Sequence, residues 1–349
     1  MRMLLLPIGW LYGLVVGTRN ILFDLGILRT TAVGVPVISV GNMTAGGTGK
    51  TPLAERIVEY LAHHGYRVAV VSRGYGRRSS GVLVVSDGTS LKVDAEEGGD
   101  EPVQIARKYP GVRVVVGERR VDAARKAVQE LRANVIVLDD GFQHRYLKRD
   151  LDIVVVDSRK DLRDEPMLPA GIRREPVLGL RRADLVALSK VEFDSMDWSE
   201  GIRSVFKGPV IAFRHVITSV HRAADGAELS PAEYRGRDAV AFSGIGDHGN
   251  FIAGLQHEGF RIVGRMQFGD HHRYAMSDIR RVSQLLGETG AAAVVTTEKD
   301  LARLQVKGAV KDALSTLPLY SVRITVELVS GGDELFSRVA GLFQAEASS

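Results

Sequence analysis

The residues best suited to chemistry in this chain form a glycine-rich loop, Gly41-Asn42-Met43-Thr44-Ala45-Gly46-Gly47-Thr48-Gly49-Lys50-Thr51. Glycines let backbone N–H groups converge on phosphate oxygens without a Cβ in the way. Lys50 would bring a point charge to the β- and γ-phosphates of a nucleoside triphosphate, and Thr51 an oxygen to its magnesium ion. Thr44, Ala45, Gly46, Gly47, Thr48, Gly49, Lys50 and Thr51 are thus the candidate phosphate-binding residues. The loop departs from G-x-x-x-x-G-K-[ST] at Thr44, where the pattern has glycine; Gly46 and Gly47 compensate. A glycine-rich turn with an incidental Lys-Thr pair is the plainer alternative.

Carboxylates supply the other half of such a site. Asp139 and Asp140 end the apolar run Asn134–Leu138 and open Gly141-Phe142-Gln143-His144. Acids at the C-terminal end of a buried strand sit where doubly wound sheets bind ligands, and there they can hold Mg²⁺. A structural acid capping the next turn is the competing reading. Upstream, Gly98-Gly99-Asp100-Glu101-Pro102 precedes helical text, so its acids could be an N-cap pair. Phosphoryl transfer to a hydroxyl also needs a proton acceptor, and Asp100 is plausible in that role. His271 and His272, adjacent in Gly269-Asp270-His271-His272, make poor joint metal ligands but could orient a carboxylate or touch a phosphate. Thr296-Thr297-Glu298-Lys299-Asp300 could contact nucleotide similarly.

Strands and helices must position these groups. Short runs rich in β-branched residues read as buried strands: Val35–Val40, Val68–Ser72, Val112–Val116, Val135–Leu138, Ile153–Val156 and Leu185–Leu188. Helical patterns at Pro52–His64 and Arg120–Leu131 lie between them. Strands alternating with helices imply parallel crossovers and a doubly wound α/β sheet of P-loop NTPase type. After Gly208-Pro209 a second, smaller α/β unit begins, with strands Ala239–Ser243, Arg261–Met266 and Ala292–Thr296 and helices His248–Glu258 and Ser277–Gly287. The expected division is residues 1–28, 29–207 and 208–349. Ile211–Val220 and Tyr320–Leu328 would form a two-stranded hinge, and Asp333–Gln344 a closing helix in the smaller unit.

Bulk properties agree with a folded protein. The chain has 349 residues, 45% hydrophobic and 25% charged, so disorder is not the default. A net charge of +4 on 46 basic and 42 acidic residues gives little reason to expect nucleic acid. Arginine doublets (77–78, 119–120, 173–174 and 181–182) suit a face that meets anionic headgroups or an acidic substrate. The lack of cysteine excludes disulfides, thiolate metal sites and cysteine nucleophiles. Met3–Thr18 carries no charge and includes Trp10 and Tyr12, with Pro7, Gly9, Gly13 and Gly17 interrupting it. It is shorter than the roughly 20 apolar residues of a bilayer span, and reads as a helix lying on or dipping into a membrane face.

Taken together, these motifs resemble the tetraacyldisaccharide 4'-kinase (lipid A 4'-kinase) family. The likeness rests on the phosphate loop, Ser72-Arg73-Gly74-Tyr75-Gly76, Gly99-Asp100-Glu101-Pro102, Asp139-Asp140-Gly141-Phe142-Gln143-His144, Leu168-Pro169-Ala170-Gly171, Phe268-Gly269-Asp270-His271-His272 and Thr297-Glu298-Lys299-Asp300. It spans about residues 35 to 304, with Gly269 standing where the family commonly has proline. The resemblance implies ATP and Mg²⁺ as cofactors and an acylated glucosamine disaccharide 1-phosphate as acceptor. It also implies work at the cytoplasmic face of the inner membrane, with the N-terminal helix on the lipid. By the same likeness, Asp100 would be the catalytic acid–base group, assisted by His271, with Asp139 and Asp140 near the metal and the reacting phosphate. Thr51, Asp139 and Glu175 would surround the metal, and Arg120 and Gln143 would contact the acceptor. No obligate protein partner is implied. Competing readings are a membrane-associated nucleotide switch, from the faint N-K-x-D likeness of Ser189-Lys190-Val191-Glu192, or a P-loop ATPase of the partitioning kind.

Overall fold

Runs of valine and isoleucine become the strands because only strands buried on both faces tolerate such continuous apolar text. The structure, a computed structural model, describes residues 3–191, 200–270, 272–304, 313–314 and 316–344. The chain divides into two units, residues 1–214 with 326–349, and residues 215–325.

In the larger unit the strands are β1 (Val37–Asn42), β2 (Val68–Ser72), β3 (Leu83–Asp87), β4 (Arg113–Val116), β5 (Val135–Asp139), β6 (Leu151–Asp157), β7 (Leu185–Ser189) and the start of β8 (Val210–Arg222). Their order is β8-β7-β6-β1-β5-β2-β4-β3. All pairs are parallel except β3 with β4, where Leu83 faces Val116. That antiparallel edge was not expected from the sequence, because Leu83–Asp87 is short and flanked by turns.

β1 lies at the centre, fully buried, with β5 on one side and β6 on the other. Successive strands are laid down on opposite sides of β1, which makes its C-terminal end a switch point of the sheet. Register then places the chemistry: Val40 on β1 faces Asp139 on β5, so the phosphate loop and the acids emerge side by side. The turn after β5 folds back on β1, with the Asp140 amide donating to the Val40 carbonyl at 2.9 Å.

The unit boundary falls within β8 rather than at Gly208-Pro209. Val210, Ile211 and Ala212 pair with β7, and Ile211 and Phe213 are buried in the larger core. The C-terminal helix Gly332–Gln344, expected with the smaller unit, packs on the larger one. Leu335 and Val339 join the cluster around Ile57 and Leu61, and Phe336 stacks on Tyr60 at 4.4 Å. Its apolar face finds there the matching face of the helix Lys50–His63.

The smaller unit, taken by itself, holds the rest of β8, β9 (Glu228–Leu229), β10 (Asp238–Ser243), β11 (Arg261–Gln267), β12 (Ala293–Thr297) and most of β13 (Leu319–Ser330). Parallel pairing joins β10 to β11, β10 to β12 and β12 to β13. Helices His248–His257 and Met276–Thr289 cover it, much as the periodicity predicts. In sheet order β8 and β13 are neighbours.

The N-terminal helix Leu6–Asp24 buries only Gly9, Val16 and Phe23. Trp10 is 73% exposed, and Leu4, Leu11, Leu14 and Val15 are similarly open. Met3–Asp24 has 22 residues, and with mean hydropathy 1.3 over an 18-residue stretch it is also long and apolar enough by composition to cross a membrane.

One close approach locks the acid turn onto β1. A Cβ at Gly41 would lie 2.6 Å from both the Cβ and the backbone nitrogen of fully buried Phe142. Gly41→Ala should therefore destabilise by about 1–3 kcal/mol, as overpacked cores do. Thermal unfolding would show a lowered midpoint; an unchanged one would mean the turn is free to shift.

Candidate active site

The loop after β1 is shaped by two left-handed glycines, Gly46 (φ 107°) and Gly49 (φ 84°). Gly49 caps the helix, which begins at Lys50, two residues earlier than expected. Lys50 and Thr51 thus lie in a first turn whose amides and dipole favour anions. Asn42 ties the loop across its base, its Nδ2 donating to Thr48 Oγ1 at 2.8 Å.

Thr44 and Ala45 serve another purpose. Thr44 forms an isolated bridge with Arg173, and the Ala45 amide donates to the Ile172 carbonyl at 2.7 Å. Thr44 has no positive φ, so the glycine of the strict pattern is not needed there. The candidate cradle narrows to Gly46–Thr51. Lys190, weighed in the sequence as part of a nucleotide-base motif, braces this loop from behind. Its Nζ donates to the Gly47 carbonyl at 2.9 Å and to Asp157 at 3.0 Å.

Beside the loop, Asp139 is 3% exposed. Its Oδ2 accepts from Thr51 Oγ1 at 3.2 Å, while its buried Oδ1 has no hydrogen-bond partner among the described residues. Burial, then the nearby Glu101 and Asp140 carboxylates, push the Asp139 carboxyl up to about 7, against the pull of Lys50 and Thr51. An orphaned buried carboxylate oxygen beside a threonine hydroxyl fits a hard cation. Magnesium is usually held by one or two carboxylates plus phosphates, not by an all-protein cage. Consistently, no group of three or more metal-ligating side chains occurs among the described residues.

Asp140 adopts left-handed φ, 56°, a strained conformation that aims it off the strand end. Arg174 Nη1 donates to both its oxygens, at 3.0 and 3.1 Å, and Lys50 Nζ lies 3.8 Å away. Arg120, 7% exposed, lies in the field of Asp140, Asp139 and Arg73. Burial lowers its pKa, the two acids oppose that, and its Nε has no hydrogen-bond partner among the described residues. His144 is held neutral: burial, then Arg120, Arg149 and Arg19, lower it to about 4. Arg174 and His144 received no individual role from the sequence: Arg174 was read only as half of an arginine doublet and His144 only as the last residue of Asp139-Asp140-Gly141-Phe142-Gln143-His144.

Asp100 opens the helix Asp100–Lys108, and the cap position is Gly99 (φ 91°), not an acid. The capping acid is Asp94, which accepts from the Glu96 and Glu97 amides one turn earlier. Glu101 is close enough to act on Asp139 electrostatically, so the Gly-Asp-Glu-Pro turn belongs to the same region.

Two expectations need correction. Glu175 is fully buried, and nitrogen donors occupy both its oxygens: Arg182 at 2.6 and 2.9 Å, Gln143 at 2.7 Å and Asn20 at 3.1 Å. With its lone pairs so used, it is a structural ion-pair acid and not a metal ligand. Gln143 spends its amide protons on Glu175 and on the Asn42 carbonyl at 2.8 Å, so it braces the loop instead of reaching an acceptor through them. In the smaller unit, buried Asp300 accepts from Thr297 and pairs with Arg303. His272 bonds Asp278 at 2.9 Å and stacks on Phe268. His271 lies outside the described residues.

A glycine loop between a buried parallel strand and a helix, with acids at the end of the adjacent strand, defines a P-loop enzyme of the nucleoside-triphosphate class. The family model described as Tetraacyldisaccharide-1-P 4'-kinase matches residues 1–342. The Tetraacyldisaccharide 4'-kinase of Anaeromyxobacter dehalogenans (strain 2CP-C) is 40% identical over 331 residues, covering 92% of this chain and 85% of that one. That of Chlorobium luteolum is 38% identical, covering 96% of each. Among solved structures, LpxK from Aquifex aeolicus in complex with ATP superposes with a TM-score of 0.77 at 34% identity, covering 98% of this chain and 99% of the other. The chain belongs to the tetraacyldisaccharide 4'-kinase family.

The raised Asp139 carboxyl has a definite sign. A folded-state pKa above the unfolded value means that the native protein binds the extra proton, so this group's contribution to stability falls as pH rises toward about 7. Subtracting the unfolding curve of Asp139→Asn from that of the wild type, without metal, should reveal this loss. Magnesium affinity should weaken below the same pH, because proton and cation compete. Parallel pH profiles for the two proteins would contradict the assignment.

Proposed function

We propose that this chain transfers the γ-phosphoryl group of ATP to the 4'-hydroxyl of an acylated glucosamine disaccharide 1-phosphate, the phosphorylation step that gives the family its name. The observation that carries this reading is the half-satisfied, buried Asp139 beside Thr51 and the Lys50 loop, in a chain that matches the family model along nearly its whole length.

In this mechanism the amides of Gly46–Thr51 and the Lys50 ammonium hold the triphosphate and gather charge as it develops on the transferring group. Thr51 and Asp139 would hold a magnesium ion, which would supply positive charge to phosphate oxygens. Asp100 accepts the proton of the attacking hydroxyl. Arg120, buried with an unsatisfied Nε, is the candidate contact for the anionic acceptor. Asp140 with Arg174 sets the charge balance beside Lys50.

An acceptor with several acyl chains leaves a bilayer only at about 0.8 kcal/mol per exposed CH₂. The enzyme must therefore work at the surface. The exposed apolar side of Leu6–Asp24, with Trp10 at its centre, is the docking element in this reading, on the cytoplasmic face of the membrane.

Incubation with labelled ATP, a panel of acylated disaccharides, simple sugars and water tests reaction class and acceptor together. Label on the acylated disaccharide alone is expected; release to water only, or GTP-selective hydrolysis, would end the proposal. Asp100→Ala should lower kcat by about 10²–10⁴-fold, the usual worth of a general base, with ATP still bound. Near-normal kcat would remove Asp100 from that role. Replacing Leu11 and Leu14 by serine should reduce co-sedimentation with anionic vesicles, and unchanged co-sedimentation would place the lipid contact elsewhere.

A further inference from the structure

The N-terminal helix touches the catalytic unit along a face that its exposed side does not share. Gly9, Gly13 and Gly17, four residues apart, lie on one side of the helix. A Cβ at Gly9 would sit 3.0 Å from the Met167 carbonyl oxygen, one at Gly13 3.4 Å from Met167 Cγ, and one at Gly17 4.0 Å from Pro176 Cγ. The helix backbone thus rests on the segment 167–176. Two polar side chains fix its register there. Tyr12 donates its hydroxyl to the Arg174 carbonyl at 3.1 Å, and Asn20 Nδ2 donates to Glu175 Oε2 at 3.1 Å.

The other edge of that segment is tied to the nucleotide loop. Ala45 donates to the Ile172 carbonyl, and the Arg174 amide donates to the Met43 carbonyl at 2.8 Å. Arg174 then reaches Asp140 with its guanidinium. Glu175 accepts from Gln143, whose amide also reaches the Asn42 carbonyl beneath the loop. A helix serving only as an anchor would need none of these contacts.

We propose that Tyr12 and Asn20 are positioning residues for phosphoryl transfer. Through the strap 167–176 they set the phosphate loop and Asp140, so the helix that faces lipid also tunes the nucleotide site. The physical lever is Glu175. It is fully buried, and its oxygens depend on Arg182, Gln143 and Asn20. Withdrawing the Asn20 donor leaves a buried carboxylate under-bonded, which the strap relieves by shifting. Small displacements of a loop that positions a reacting group carry large kinetic penalties. This inference rests on the kinase reading above.

The test uses the full chain with Asn20→Ala, Asn20→Gln, Tyr12→Phe and the double variant Tyr12→Phe/Asn20→Ala. Three quantities are measured: ATP affinity without lipid or acceptor, kcat and KM in detergent micelles, and co-sedimentation with phosphatidylglycerol vesicles. Asn20→Ala and the double variant should bind ATP more weakly and turn over roughly tenfold more slowly. Vesicle binding should stay at the wild-type level, and Asn20→Gln should restore part of the loss. Tyr12→Phe deletes a single hydroxyl and keeps the ring; it should move ATP affinity in the same direction, and decides the matter if Asn20→Ala does not fold. Wild-type ATP affinity and kcat in the folded variants would overturn the proposal, as would losses that merely track lost vesicle binding. A wild-type protein that binds ATP but labels no acylated disaccharide would refute the proposed function instead, leaving ATP affinity to judge Tyr12 and Asn20.

Discussion

A carboxylate buried at the end of a central parallel strand, with one oxygen left unbonded, is the constraint around which the larger unit is arranged. Asp139 faces Val40 across the β1–β5 register, so its position follows from sheet pairing and not from a mobile loop. Burial and two acidic neighbours work against its charge, and one threonine and one lysine work for it. A protein gains nothing in stability from such a group. It is kept where a ligand cation completes it, which is the logic of a site whose binding energy appears only when loaded.

The acids of this chain separate according to who satisfies them. Glu175 is as buried as Asp139, yet Arg182 forks both its oxygens and two amides add to the pair. Asp300 is closed off by Thr297 and Arg303. Asp140 lies between these extremes, paired with Arg174 but partly open and within reach of Lys50. Saturated acids such as Glu175 and Asp300 hold the scaffold, whereas Asp139 is under-satisfied beside the phosphate loop. Arg120 is the cationic counterpart, buried with an Nε that no protein acceptor meets.

The apolar N-terminal helix and the phosphate loop meet through one segment. Residues 167–176 carry the glycine face of the N-terminal helix on one side and the edge of the phosphate loop on the other. In the function proposed above, such an arrangement would set the surface that meets the bilayer against the one that frames the site. Strap and helix are joined by side-chain-to-backbone and amide-to-carboxylate bonds, which fix register more tightly than apolar contact alone would.

Much of this was legible in the linear text. The strand–loop–helix at Gly46–Thr51, the acids after Leu138 and the α/β alternation follow from local spacing and periodicity, because glycine conformations, helix starts and strand pleats are short-range effects. Family membership followed from the same motifs in order. Other features were closed to that reading because they depend on partners more than 20 residues away. Glu175 looked like a metal neighbour until Gln143 and Asn20, 32 and 155 residues away, were seen to join the nearby Arg182 around it. The C-terminal helix joined the larger unit because its apolar face matches that of Lys50–His63, a pairing across most of the chain. By itself the sequence determined which residues could bind phosphate and which elements carry them. The tertiary structure alone decided which acids are already satisfied and which helix braces the site, since satisfaction and burial are properties of neighbours brought together by folding.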